Sequence, residues 1–282
     1  MGFLMKFLVF FFITYVLNNN AYSADSFKIH IIKPKYTLNW ASPSSLSATT
    51  GINSIGSDYA PIGHFAIELK CSRALTNGVK SLLTGMERIS KKESQRITLK
   101  KKLGLGSLIW NFKGQLVSAK TTKNELKMAS KESRLKTIYL PVSQEDCLQG
   151  LTFIQEWISH ASYKIYGGAK DTEHGEGAGC SDFMSTLFKV ITGTNHPYNW
   201  FADVKIPYNL IGDGEDKKVS FLALLGTTSW ADSSSRGLNF KIADANKVQN
   251  WLAKRTKSNQ YFYTKHLFPT GLMLSADTDS KR

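Results

Sequence analysis

Three cysteines, Cys71, Cys147 and Cys180, constrain this chain most strongly, because its N-terminus reads as an export signal. Met1 to Lys6 carries one positive charge, Phe7 to Leu17 is almost wholly apolar, and Asn18 to Asn20 separates that run from Ala21-Tyr22-Ser23. Small residues occupy both recognition positions of a cut after Ser23. An apolar run of about 11 residues falls well short of the roughly 20 needed to cross a bilayer. Residues 1–23 are therefore expected to be a secretory signal peptide, with the mature chain beginning near Ala24 in a periplasmic or extracellular compartment. Disulfides persist in such compartments. An odd number of cysteines leaves at least one thiol unpaired in a monomer, and which one is free bears directly on function.

The 282 residues, 42% of them hydrophobic, suit a globular protein with a buried core, expected as a single domain over 24–282. The formal net charge is +14, or +13 once Lys6 leaves with the signal, and it suggests a polyanionic neighbour. Most of the excess lies between Lys80 and Lys136, where 15 Lys or Arg face only Glu87, Glu93, Glu125 and Glu132. Only Trp110 and Phe112 interleave with these charges, so nucleic acid is not the expected partner.

Residues 27–32 read as a strand, 41–57 as an irregular loop, and Ile62 to Leu69 as an alternating strand. In that alternation Phe65, Ile67 and Leu69 share one face, and His64, Ala66 and Glu68 the other. Further strands are expected at Val79 to Thr84, Ser107 to Val117 and Thr137 to Val142. Ser143 to Tyr166 reads as a capped amphipathic helix with Cys147 on its buried stripe, and a second helix is expected from Cys180 to Gly193. Pro197 to Asp216 reads as loop, Val219 to Leu225 and Leu238 to Ile242 as strands, and Asp244 to Lys254 as a short helix.

Cys180 opens its helix behind Gly177-Ala178-Gly179. Free amides and the macrodipole of a first turn favour a thiolate, and small residues before it admit a substrate backbone. Asp182 suits the helix start but disfavours a neighbouring thiolate. A thiol nucleophile needs a base, and of six histidines His64 has the most distinctive setting, opening an alternating strand beside Gly63 on the face away from the core residues. No cysteine and histidine spacing fits a metal site, and no cofactor is expected.

Tyr166-Gly167-Gly168 followed by Cys180-Ser181 resembles the aromatic-Gly-Gly and Asp-Cys-Ser-Gly motifs of NlpC-like cysteine peptidases, and Gly63-His64-Phe65-Ala66-Ile67-Glu68-Leu69 is similar to their catalytic histidine strand. The histidine strand comes first here, as in the circularly permuted branch, whose layout is similar to that of lecithin:retinol acyltransferase-like enzymes. Gly179 stands where the family usually has Asp, and Asp182 where it has Gly.

The resemblance implies an α+β, papain-like fold in permuted order, an antiparallel sheet packed against helices, with the basic stretch as an insertion at about 80–136. It implies Cys180 as nucleophile, His64 as base, and Tyr166, Gly179 and Ser181 lining the substrate site. The orienting group is expected opposite His64 on the next strand, where Glu87 or Thr84 is in reach and Glu87 is favoured. In such a fold the long helix packs against the histidine strand, so a Cys71–Cys147 disulfide is expected, leaving Cys180 free. The implied activity is that of an exported hydrolase of amide bonds in cell-wall peptides, with peptidoglycan or another anionic envelope polymer as partner. Lipid acyl hydrolysis, an anionic lipid surface, or polyanion binding without catalysis are the alternatives.

Overall fold

A computed structural model describes residues 25–55 and 61–256; the expected signal peptide lies outside them. The fold is mixed α+β. Strands β1 (Ser26–Ile32), β2 (His64–Lys70), β3 (Ser81–Arg88), β4 (Phe112–Leu116), β5 (Leu135–Pro141) and β6 (Ile165–Tyr166) form an antiparallel sheet in the order β5-β1-β2-β3-β4-β6. A separate pair joins β7 (Phe201–Pro207) and β8 (Gly237–Ala243). The helices are α1 (Pro43–Ser54), α2 (Lys91–Lys100), α3 (Ala119–Lys131), α4 (Gln144–Ser159), α5 (Cys180–Thr192), α6 (Phe221–Gly226) and α7 (Ala245–Thr256).

The period of two along β1 and β2 sets the layers. Ile31 pairs with Phe65, Ile29 with Ile67 and Phe27 with Leu69, so these six side chains project from one face. There they meet Leu151 and Ile154 of α4 and Phe183, Leu187 and Phe188 of α5 in the main core. Each large apolar side chain fully buried there contributes about 1.5–3 kcal/mol relative to exposure. Trp157 stacks on Phe183 with ring centroids 4.8 Å apart, which holds α4 against α5. The reverse face carries His30, His64, Ala66 and Glu68, and α3 packs across it over β1, β3 and β5. A second apolar cluster, including Leu46, Leu105, Ile206 and Phe240, joins α1 to the β7–β8 pair.

The long helix starts as its capping residues dictate: Ser143 Oγ accepts the Asp146 N–H at 3.1 Å. It stops at Ser159, seven residues before the expected end, where Ala161 turns to a φ of 58°. Residues 41–57 are not an irregular loop. Ser42 Oγ accepts the Ser45 N–H, Pro43 preorganises the first turn, and α1 follows although only Leu46 supplies a large buried side chain. Val219 to Leu225 contains no strand, because Ser220 caps α6 at the same place. The expected loop after Pro197 holds β7, whose alternation is masked by the charges of Asp203 and Lys205. Within 107–117 only Phe112–Leu116 is strand, following a 3-10 turn at Leu105–Leu108. The basic stretch supplies β3, β4 and the start of β5, and seven of its twelve lysines lie on the connecting helices α2 and α3.

Cys71, just beyond β2, is bonded to Cys147 in the first turn of α4, their Cα atoms 5.8 Å apart, and Cys180 is free. The bridge closes a sequence separation of 76 residues. Restricting a loop of that length in the unfolded chain stabilises the fold by about 4 kcal/mol. The double variant Cys71→Ala/Cys147→Ala should therefore lose about 2–5 kcal/mol in urea unfolding, and wild type under reducing conditions should match it.

Candidate functional site

Cys180 and Tyr166 are brought together by the loop between them. A Cβ at Gly167 would lie 2.8 Å from the Trp110 carbonyl oxygen, and one at Gly168 2.7 Å from that of Leu108, so only glycines let the chain pass there. The loop then returns along β6, where the Ala178 N–H donates to the Ile165 carbonyl at 3.2 Å and Gly177 holds a φ of 99°. Cys180 consequently opens α5 beside β6, and the Tyr166 hydroxyl donates to its sulfur at 3.8 Å.

The sulfur lies in the main core, and Cys180 is only 4% exposed. Burial pushes its pKa up, and the carboxyl of Asp182 adds to that. Three donors oppose the rise: the main-chain N–H of Phe65, the Tyr166 hydroxyl and the main-chain N–H of Ser181. The β2–β3 ladder ends at Ala66 and Gly85, and the Phe65 amide lies one residue beyond that last rung. At rest the thiol is neutral, yet it is surrounded by groups that hold a negative charge. Burial also raises Asp182, to about 7, against the N–H that Gly179 donates to its Oδ2 at 3.4 Å. Tyr166 is raised as well, first by burial, so its hydroxyl remains a donor.

Arg88 completes this face. Thr84, Met86 and Arg88 project from β3 on the α5 side, with the Arg88 guanidinium 4.2 Å from the Phe112 ring centroid and 5.4 Å from that of Tyr166. Nothing in the sequence reading singled out Arg88. Its signal was the alternation of β3, which puts it two residues beyond the buried Met86 on the same face.

His64 is elsewhere. As a neighbour of Phe65 in an extended strand it projects to the reverse face, where its Nε2 would lie 2.9 Å from a Cβ at Gly85. Strand alternation thus turns the imidazole away from the core face that holds Cys180, and no hydrogen bond joins His64 to the thiol among the described residues. Nε2 is shielded from solvent and has no hydrogen-bond partner among the described residues. Burial lowers the His64 pKa to about 4, helped by the charge of Lys91.

The other expected site residues divide between the faces. Glu87 lies two residues beyond Gly85, where the β2–β3 pairing ends opposite Ala66, and its carboxylate accepts from Gln115 Nε2 at 2.9 Å. Thr84 faces the core and donates to the Val117 carbonyl at 2.8 Å. Ser181 is buried and its Oγ accepts the Ala243 N–H at 2.8 Å, so its hydroxyl ties α5 to β8. Gly179 is the N-cap of α5, buried beside Gly167. Among the described residues no cluster of three or more His, Cys, Asp or Glu could hold a metal ion, and no helix is long and apolar enough to cross a membrane.

Set against known proteins, the chain matches no family model, no curated protein and no solved structure.

His64 and Asp182 have opposite effects on stability. A histidine whose folded pKa is lowered contributes fully above about pH 6.5 and loses that contribution as pH falls toward 4. A carboxyl raised from 3.8 to about 7 retains its proton in the folded state, so stability declines as pH rises through that window. Removing either group exposes the other. Asp182→Asn should exceed wild type by on the order of 2 kcal/mol in urea unfolding at about pH 8 and converge with it near pH 4. His64→Gln should gain on wild type as pH falls from about 7 to 4.

Proposed function

We propose that this protein is an exported, cysteine-dependent hydrolase of amide bonds, acting on cell-wall peptides from a permuted papain-like fold, with Cys180 as nucleophile. The observation that carries this reading is the convergence of donors on the one free thiol. The amides of Phe65 and Ser181 and the hydroxyl of Tyr166 all favour the ionised sulfur. Donors so arranged also suit the oxyanion that forms when the sulfur adds to a carbonyl.

On the thiol's own face Arg88 stays protonated and Tyr166 is raised above its ordinary value, whereas Asp182, two residues beyond Cys180 in the same helix and raised by burial to about 7, is able to accept a proton near neutral pH. In the proposed reaction the Cys180 proton passes to Asp182 as the sulfur bonds to the carbonyl carbon. The same proton goes to the amine as the C–N bond breaks, and water then cleaves the thioester and restores the thiol. His64 has no part in this sequence.

A second reading, polyanion binding without catalysis, is favoured by how the basic stretch folds. Of its acids, Glu87 is bonded to Gln115, Glu132 to Arg134, and Glu125 is half-buried with a pKa raised by burial, while Lys92, Lys100, Lys120, Lys123, Lys127 and Lys131 are exposed. That surface suits anionic envelope polymer under either reading.

Digestion of purified peptidoglycan, followed by mass analysis of the fragments, tests the proposal. Cys180→Ala should abolish release, Asp182→Asn should reduce turnover by about 100-fold, and His64→Gln should leave it within a few-fold. Loss of turnover in His64→Gln with retention in Asp182→Asn would move the base to the histidine. Release of fatty acid from acyl lipids in place of wall fragments would move the substrate. No turnover, together with salt-sensitive binding to poly-L-glutamate that survives Cys180→Ala, would establish the second reading.

A further inference from the structure

The geometry points to Arg88 as a carboxylate anchor beside Cys180, so that the preferred substrate is an amide carrying a carboxylate close to the scissile carbonyl. This rests on Cys180 being the reactive thiol of the proposed hydrolase. Arg88 is half-buried, and no carboxylate lies within ion-pair distance of it among the described residues. Glu87, its neighbour in the chain, projects to the other face of the sheet and is bonded to Gln115.

Stacking does not account for this arrangement. Phe112 and Tyr166 lie within cation–π range of the guanidinium, an interaction that falls on ring faces and leaves the in-plane N–H donors of arginine unused. No hydrogen bond joins those donors to any other described residue. Arginine is matched to carboxylate because its fork offers two parallel donors, and removing part of its hydration without a counter-ion is unfavourable until an anion arrives.

The position of the fork fixes what it would read. Tyr166 touches both groups, with its ring against Arg88 and its hydroxyl on the Cys180 sulfur. A Cβ at Gly114, opposite Arg88 in β4, would lie 2.6 Å from the Tyr163 carbonyl oxygen, so only a glycine lets β6 and the Tyr166 ring pack this close to the guanidinium. A carboxylate held by Arg88 therefore belongs to the residue that also carries, or directly adjoins, the carbonyl attacked by Cys180. The α-carboxylate of a terminal amino acid and the side chain of an acidic one both meet that description, and both occur in peptides rich in free carboxylates.

Two alkylating probes of similar size separate this inference from the reading beneath it. Iodoacetate carries a carboxylate and iodoacetamide the neutral amide; in both, the sulfur bonds to the methylene carbon, iodide leaves and the thiol proton goes to solvent. The ratio of their rates at Cys180, followed by mass spectrometry of the folded protein, cancels any change in thiolate fraction. Arg88→Met should lower the iodoacetate-to-iodoacetamide ratio by about tenfold. Arg88→Lys, keeping charge without the fork, should fall between. Lys247→Met, which removes an exposed charge on α7, should leave the ratio unchanged. An Arg88→Met ratio equal to wild type, with Cys180 still modified by iodoacetamide, would overturn the anchor alone. A ratio lowered equally by Lys247→Met would reduce the effect to general surface charge and overturn it too. Failure of iodoacetamide to modify Cys180 in folded wild type would overturn the thiol reading and the anchor with it.

Discussion

Successive side chains of a strand leave on opposite faces, and in β2 that rule separates the two groups that the sequence motifs suggested should meet. Phe65, Ile67 and Leu69 must face α4 and α5, because their burial builds the main core. His64 must then face the other way, toward Gly85. Slipping the register by one residue would turn His64 toward the helices only by exposing every apolar side chain of the strand. The hydrophobic core thus decides which polar groups can share a site with Cys180.

With the faces set, the rest of the site follows from how the chain is tied down. The disulfide fixes α4 to the end of β2, and the stacked Trp157 and Phe183 carry that anchorage to α5. At the far edge, the Gly167-Gly168 pair and the return of Ala178 along β6 set Cys180 against Tyr166. The thiol is therefore fixed from two directions, and its neighbours Arg88, Tyr166 and Asp182 come from β3, β6 and its own helix. A neutral thiol bonded by the Tyr166 hydroxyl, next to a carboxyl that burial raises to about 7 and an arginine with no carboxylate in ion-pair distance among the described residues, is a polar cluster held at the edge of an apolar core. Such a cluster is unfavourable for stability alone, which is the physical basis for reading it as a functional site.

The basic stretch illustrates how charge and architecture part company. Its lysines suggested material added to the fold, yet β3 and β4 within it are internal strands of the sheet. Short apolar pairs such as Leu82 with Leu69 and Met86 with Leu116 hold those strands in place, while eight of the fifteen Lys and Arg lie on α2 and α3.

The sequence by itself determined the elements with strong local signals: the alternation of β1 and β2, the Ser143 cap, the helix opened by Cys180, and the odd cysteine count that demanded a free thiol. These depend on a few neighbouring residues, so they can be read along the chain. It misjudged α1, α6 and β7, where caps or masked alternation outweighed composition. Only the tertiary structure decided the partners of Cys180. Whether His64, Arg88 or Asp182 faces the sulfur depends on strand register and on which face the helices cover. Those are settled by the packing of side chains far apart in sequence, and no local pattern records them.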